Sequence, residues 1–317
     1  MNQPTHGARP LDALNRVLGS VDSVRNGRAV YALLATFACA GLLLALAESA
    51  LARGAVAWGL GWAGASLTAL FYGSNTVGLL LYDEACGRPS RDVAQALRDA
   101  LASAHRLLLV LLAVIALAAA VLALLAAALW LTRLPLLGPA LFGLLLPAAV
   151  VVVGVALLAG VAVVGPLAAP AVWSGLGVAA ALNRLASHVR QRLVFAALLM
   201  SAVSGLAALV GALVTFAVVG GGRTVAALAV AVTGIELPPQ LLMAGLFGHG
   251  LRSLGAAGAP VAQSAYGQAA LAGGGAVFML ALVLPALVYL RGTCSVYLAL
   301  EERDSGPPAL AGQPADG

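Results

Sequence analysis

The sequence predicts an all-α integral membrane protein, and two of its properties lead to this prediction. Hydrophobic residues make up 62% of the 317 residues and charged residues only 9%, whereas about a quarter of a soluble domain is charged. Runs such as 107–132 and 195–219 contain no ionisable side chain. Each run exceeds the length of about 20 helical residues that a bilayer core requires. The chain is therefore predicted to be a multi-pass helical bundle.

Hydropathy divides the chain into six predicted spans. They lie at 29–50, 55–82, 107–132, 140–171, 193–219 and 267–291. The stretch 224–265 does not fit this division, because prolines at 238 and 239 and many glycines interrupt its apolar runs. It is either a re-entrant or interfacial piece or half of a broken seventh span. We favour the first, because a seventh span would place the C-terminus outside.

The distribution of arginine predicts the orientation, and every one of the 17 basic residues is arginine. The N-terminal segment, the second and fourth gaps and the C-terminal end carry most of them: Arg9, Arg16, Arg25, Arg28, Arg88, Arg91, Arg98, Arg106, Arg184, Arg190, Arg192, Arg291 and Arg303. The other gaps carry only Arg53, Arg133, Arg223 and Arg252. Because positive charge favours the inner side, both termini are predicted to be cytoplasmic, in a bacterial inner membrane.

The sequence predicts that the chain has three parts. Residues 1–28 form a cytoplasmic segment with an amphipathic helix, 29–304 a single membrane domain, and 305–317 a tail rich in Pro, Gly and Ala that is predicted to be disordered. The arginines are dispersed at membrane edges rather than clustered on one soluble face, which argues against a nucleic-acid partner.

The gaps assigned to the cytoplasm share a pattern. Both 93–97 and 178–182 read Val-Ala-x-Ala-Leu, with a weaker echo at 296–300. Apolar residues at helical spacing predict amphipathic helices lying on the cytoplasmic leaflet: Val93, Leu97, Ala100, Leu101 and Ala104; Leu182, Leu185 and Val189; and Leu11, Leu14, Leu18 and Val21. The pattern favours a two-span unit used three times. Chance similarity between Ala- and Leu-rich segments is the alternative.

A resemblance accompanies this pattern. The segment LYDEACGRPS at 81–90, then Ala96-Leu97 and a return into the membrane, resembles bacterial membrane domains in which spans alternate with cytoplasmic amphipathic helices. That group includes the membrane domain fused to some glycerophosphodiester phosphodiesterases, and related families of unknown function. The resemblance implies a fold over most of residues 29–300. It implies no hydrolytic activity, because these 317 residues contain no segment for the soluble phosphodiesterase barrel.

Small and aromatic residues predict how the spans pack. The second span places Gly61, Ala65, Ala69 and Gly73 at four-residue spacing, a stripe typical of close helix contact. Tryptophans favour membrane interfaces, which predicts an outer position for Trp58, Trp62 and Trp130 and an inner position for Trp173.

A candidate cavity is predicted from Asn75 and Thr76 in the second span and from Pro147 and Pro166 in the fourth. An amide in hydrocarbon requires partners, and each proline leaves a backbone carbonyl without its helical donor. These residues favour either an interhelical hydrogen bond and ordinary kinks, or a site for a small solute. No span carries an acid or base near its centre, which argues against a proton-coupled pump.

Catalytic, cofactor and metal sites are not predicted. Asp83 and Glu84 are adjacent and diverge on a helix, which favours a solvated patch at the headgroups. His105 and His188 are predicted to lie on the polar faces of the amphipathic helices. The four histidines have no ligand-like neighbour at metal-binding spacing.

Anionic lipid headgroups are the predicted partners, while any protein partner is left open. The candidate contacts are Arg88, Arg91, Arg98, Arg106, Arg184, Arg190 and Arg192. The leading hypothesis is a non-enzymatic protein that organises lipid or a partner protein, or supports envelope assembly. The alternative is a transporter or channel for a small neutral or amphipathic solute. A lipid-modifying enzyme would need polar groups converging around Asp83, Glu84 and Arg88.

Overall fold

The computed structural model of this chain describes residues 10–89, 91–134, 138–233 and 265–304. Helix accounts for 93% of these described residues, which contain no strand, so the all-α prediction is confirmed. The elements are α1 Pro10–Leu18, a 3-10 helix Gly19–Arg25, α2 Gly27–Ala52, α3 Val56–Ala85, α4 Val93–Leu131, α5 Gly138–Ala159, a π-helical turn Gly160–Val164, α6 Gly165–Trp173, α7 Val178–Thr233 and α8 Ala265–Asp304. The predicted disordered tail and residues 234–264 of the ambiguous stretch lie outside the described residues.

Five described helical segments are long and apolar enough to cross a membrane, which indicates a multi-pass membrane protein. They are Gly27–Ala52, Val93–Leu131, Gly138–Trp173, Val178–Val225 and Met279–Glu302. The predicted second span coincides with α3, which is 30 residues long. It is not among the five. Six spans therefore stay a prediction.

The outer surfaces of these helices are strongly apolar. Large side chains such as Leu124, Val161 and Phe216 are more than two-thirds exposed. Along α5, only Gly138 and Ala159 are buried. Exposed apolar surface on this scale is unfavourable in water but ordinary in contact with lipid.

The described chain divides into two compact units. The first comprises Met1–Ser20, Gly78–Val203 and Arg291–Gly317, and the second comprises Val21–Val77 and Ser204–Leu290. The first therefore contains all of α4, α5 and α6, whereas the second contains all of α2.

In the second unit, α2 buries mostly small residues at spacings of mostly three, four and seven residues. They are Ala29, Ala32, Leu33, Thr36, Ala40, Ala47 and Ala50. An average spacing of about 3.5 residues keeps one face of a helix against a partner and is typical of left-handed helix pairs. Because most of these side chains are small, the partner backbone can approach closely.

Helix α3 supplies that partner through positions seven residues apart. Gly59 lies against Leu51, Ser66 donates a 2.7 Å hydrogen bond to the Ala40 carbonyl, and Gly73 lies against Thr36. The predicted four-residue stripe is right about Gly73 but wrong about Gly61, which is exposed and has open space around it. The contact follows the seven-residue repeat because α2 buries residues with the same period.

In the first unit, the predicted amphipathic segment at 93–104 is continuous with the third span. Helix α4 runs unbroken over 39 residues, or about 58 Å at 1.5 Å per residue. A helix without a break cannot lie flat on a leaflet and then turn to cross it. The structure therefore joins the two predicted elements into one rod, whose length exceeds the bilayer core of about 30 Å.

The corresponding segment of α7 is arranged differently. Arg192 has non-helical backbone angles (φ −139°, ψ 20°) that kink α7 at the predicted start of the fifth span. The helix then continues to Thr233, which includes the first residues of the ambiguous stretch. Helix α8 joins the predicted last span and the weak echo at 296–300 without interruption.

A π-helical turn interrupts the fourth span. The Gly165 N–H donates to the Gly160 carbonyl, five residues back. Directly after it, Pro166 has no N–H to donate and its ring crowds the carbonyl four residues earlier. The wider turn accommodates that proline, and such turns occur frequently at functional sites. Pro147, by contrast, lies inside a continuous α5.

Candidate functional site

Two groups of charged side chains form ion pairs among the described residues of the first unit. The α3 group consists of Asp83, Glu84, Arg91, Asp99 and Arg291. The α7 group consists of Arg184, His188, Tyr297 and Glu301. They come from the end of α3, the connection before α4, the start of α4, the start of α7 and the last part of α8.

The chain reversal after α3 positions the α3 group. The Gly87 N–H donates to the Glu84 carbonyl, and the Arg88 N–H donates to the Asp83 carbonyl at 2.9 Å. This bond pattern ends many helices and requires a left-handed residue, a role that Gly87 fills with φ +66°. The turn brings Arg91 back to the last turn of α3.

Arg91 binds the buried Asp83 carboxylate with two nitrogens. Its Nε lies 2.8 Å from Asp83 Oδ2, and its Nη2 donates to Oδ1 at 3.0 Å. Its Nη1 donates to Asp99 Oδ2 at 2.8 Å. Asp83 is only 2% exposed, so this two-point pairing compensates the cost of burying its charge.

The pKa of Arg91 is raised by this arrangement. Partial burial acts to lower the pKa, but hydrogen bonds and charge attraction from Asp83 and Asp99 outweigh it. A raised pKa gives stability that is lost only as pH rises through the folded-state pKa. For a guanidinium this lies above any pH at which a protein is handled, so Arg91 is a permanent charge.

Arg291 connects α8 to the same helix end. Its Nη2 donates to the Glu84 carbonyl at 3.4 Å, and its Nε lies 3.5 Å from Glu84 Oε1. Both contacts are long, and the pairing acts mainly through charge. The last residues of α3 are thus held by arginines from two other segments, Arg91 and Arg291.

The α7 group joins α7 to α8 around Glu301. Arg184 Nη2 lies 2.8 Å from Glu301 Oε2, and His188 Nε2 lies 3.6 Å from Oε1. The His188 side chain is fully buried and meets the Tyr297 ring edge to face, with 6.3 Å between ring centroids. The Tyr297 hydroxyl lies 3.4 Å from Ser174 Oγ.

Two sequence predictions are wrong here. Asp83 is not part of a solvated patch, and His188 is not on an exposed polar face, because both are buried among charges contributed by other segments. Trp173 is buried against Gly78 of α3, and its position at the inner membrane interface stays a prediction. His105 is exposed, as predicted.

The seven arginines predicted to contact headgroups fall into different environments. Arg91 and Arg184 form the internal ion pairs of the α3 and α7 groups. Arg88, Arg98 and Arg190 are exposed, and Arg106 and Arg192 are half-buried.

The four residues of the predicted cavity are divided between the two units. Asn75 and Thr76, in the second unit, are buried and donate to the carbonyls of Phe71 and Tyr72, each at 2.9 Å along α3. In the first unit, Pro147 is exposed and Pro166 half-buried. The cavity stays a prediction.

The chemistry of the two groups suits structure more than reaction. The carboxylates of Asp83, Glu84 and Glu301 each lie beside a guanidinium in an ion pair. Among the described residues, no cluster of His, Cys, Asp and Glu is arranged to hold a metal ion.

The chain matches no known protein family, no curated protein and no solved structure. The resemblance to the membrane domain of certain phosphodiesterases therefore stays a prediction from the sequence.

Proposed function

We propose that this protein is a non-enzymatic, multi-pass protein of the bacterial inner membrane that organises anionic lipid, or a partner protein bound through such lipid. In this proposal the arginine-rich helix ends and both termini are cytoplasmic, and α3 is a sixth span. The two-span repeat belongs to the same proposal and rests on the sequence pattern alone.

The single observation that carries the proposal is the exposure of Arg88, Arg98 and Arg190 in the first unit. Exposed guanidinium groups beside apolar helices are suited to the phosphates of anionic headgroups. The carboxylates of the α3 and α7 groups are meanwhile engaged by Arg91, Arg184 and Arg291. The proposed headgroup contacts are therefore fewer than the sequence predicts.

The test measures how phosphatidylglycerol stabilises the purified protein in zwitterionic micelles. A lipid that binds the folded state raises the unfolding temperature in proportion to its binding. We expect phosphatidylglycerol to stabilise the protein more than phosphatidylcholine does. Changing Arg88, Arg98 and Arg190 to glutamine should weaken this binding about 100-fold, because each arginine contributes about 1 kcal/mol near an anionic surface.

The matched control removes three arginines from the gaps predicted to be external, Arg53, Arg133 and Arg223. All three are exposed, so the lost charge is the same. This variant should keep most of the response to phosphatidylglycerol. Equal stabilisation by both lipids, or equal weakening in both variants, would contradict the proposal.

One observation favours transport as a second candidate function. The π-helical turn at Gly160–Val164 loosens the fourth predicted span, and discontinuous helices line the sites of many transporters. A light-scattering assay on proteoliposomes would detect flux of small neutral solutes. Flux that Asn75→Leu abolishes would establish transport and overturn the non-enzymatic lipid role, whereas permeability equal to that of protein-free liposomes would remove this candidate.

A further inference from the structure

The predicted amphipathic segments of the first unit bury different faces. In α1, Ala13 and Val17 are buried, whereas Leu14 and Leu18 are 38% and 51% exposed. The structure therefore turns Ala13 and Val17 of α1 inward and leaves Leu14 and Leu18 partly exposed. An ion pair between Arg16 and Glu302, at 2.8 Å, joins α1 to the end of α8.

The start of α4 repeats this arrangement. Its buried face consists of Ala96, Ala100 and Ala104. Leu97 and Leu101, by contrast, are 43% and 54% exposed. The sequence predicted that Ala100, Ala104 and these leucines share one apolar face against lipid, but the alanines pack inside the protein.

The exposed leucines of α4 continue directly into its membrane-spanning part. Leu97, Leu101, Leu108 and Leu112 are all exposed, and at about 100° per residue they lie within about 60° of one another around the helix. Because α4 is unbroken, these four residues form one stripe, from the amphipathic start to the apolar span. Arg98 and His105, also exposed, border the stripe on one side.

The segment that begins α7 does not share this feature. Leu185 is 2% exposed, and Leu182 and Val189 are half-buried. Its apolar face is therefore packed within the first unit, together with the buried His188. The segments at 93 and 178 begin with the same pattern but present different faces to their surroundings.

We propose that Leu14 and Leu18 of α1, and Leu97 and Leu101 of α4, insert into the headgroup–acyl boundary of an anionic leaflet, whereas the start of α7 does not. This inference rests on the proposed function and names the lipid-contacting side chains. Leucines bordered by arginine suit that boundary, where acyl chains meet anionic phosphates. The continuity of the α4 stripe with a membrane-spanning segment identifies lipid as its occupant.

Depth-dependent fluorescence quenching tests the proposal in the full chain. Single cysteines would replace Leu14 or Leu101 after Cys39, Cys86 and Cys294 are changed to alanine, and each would carry an environment-sensitive dye. The proteoliposomes would contain phosphatidylglycerol and lipids spin-labelled near the headgroup. We expect blue-shifted emission and strong quenching at both positions.

The matched control is Gln95 on α4, which is exposed and lies about 120° or more around the helix from Leu97 and Leu101. A dye at this position should show red-shifted emission and weak quenching. Equal quenching on both faces, no quenching at Leu14 and Leu101, or shielding that appears in lipid-free micelles as protein concentration rises would overturn the proposal. The last outcome would identify a second copy of the chain as the occupant.

The outcomes of this experiment and of the arginine experiment distinguish failure of the inserted stripe from failure of the proposed lipid selectivity. Loss of the phosphatidylglycerol preference with quenching retained at Leu14 and Leu101 would refute the proposed lipid selectivity but not the inserted stripe. A retained preference with no quenching would refute the inserted stripe alone.

Discussion

Replacement of Arg91 by alanine is expected to lower the free energy of unfolding by about 3 kcal/mol, because it leaves a buried carboxylate without its partner. Asp83 is held by two nitrogens of Arg91 and is shielded from solvent. The thermal unfolding midpoint of the purified protein in micelles measures this loss. The matched control is Arg98→Ala on the neighbouring helix, an exposed position where the change should be within about 0.5 kcal/mol.

A second variant separates charge from packing at the same place. Adding Asp83→Asn to Arg91→Ala removes the uncompensated charge and should recover part of the lost stability. If Arg91→Ala unfolds at the wild-type temperature, or if the added change lowers the midpoint further, the buried ion pair does not stabilise the first unit.

The change Gly78→Ala is expected to destabilise the first unit by about 1–3 kcal/mol, since it overfills a close contact. A Cβ at Gly78 would overlap the ring of Trp173, which is itself buried and has little room to move. The same unfolding midpoint measures the effect.

Gly64→Ala is the matched control on the same helix. Gly64 has open space around it, and alanine favours helix over glycine by about 1 kcal/mol. The two substitutions should therefore shift the midpoint in opposite directions. A midpoint that Gly78→Ala leaves unchanged or raises, as Gly64→Ala is expected to raise it, would show that Gly78 of α3 and Trp173 of α6 are not in close contact.

Structural elements that are specified by residues adjacent in the chain were predictable from the sequence. The apolar runs of α4 and of the fourth span are continuous in the chain, and lipid selects for such runs wherever they occur. Pro166 marked a local disturbance of the fourth span, and the π-helical turn lies directly before it. The sequence did not predict that this disturbance would take the form of a π-helical turn.

The ion-paired groups were not predictable, because their members are far apart in the chain. Arg291 is 207 residues from Glu84 in the chain, and no sequence feature at either position indicates that the two residues pair. Glu301 gave a weak signal, since an acid near the end of an apolar helix needs a partner. The sequence also could not show which face of an Ala- and Leu-rich helix packs inward. At the start of α4 both the leucines and the alanines are apolar, and the alanines pack inward because they allow close approach.

Topology mapping along α4 is the most direct test of the central claim that these apolar helices cross the bilayer with their arginine-rich ends inside. Arg98 and Arg133 lie near opposite ends of this unbroken helix, about 52 Å apart at 1.5 Å per residue. Single cysteines at these two positions, in a background without the native cysteines, would be treated with a membrane-impermeant thiol reagent in intact cells. We predict labelling at 133 from outside and at 98 only in inverted vesicles. Labelling of both positions from the same side would contradict a membrane-crossing α4, and with it the proposed orientation of the whole protein in the bilayer.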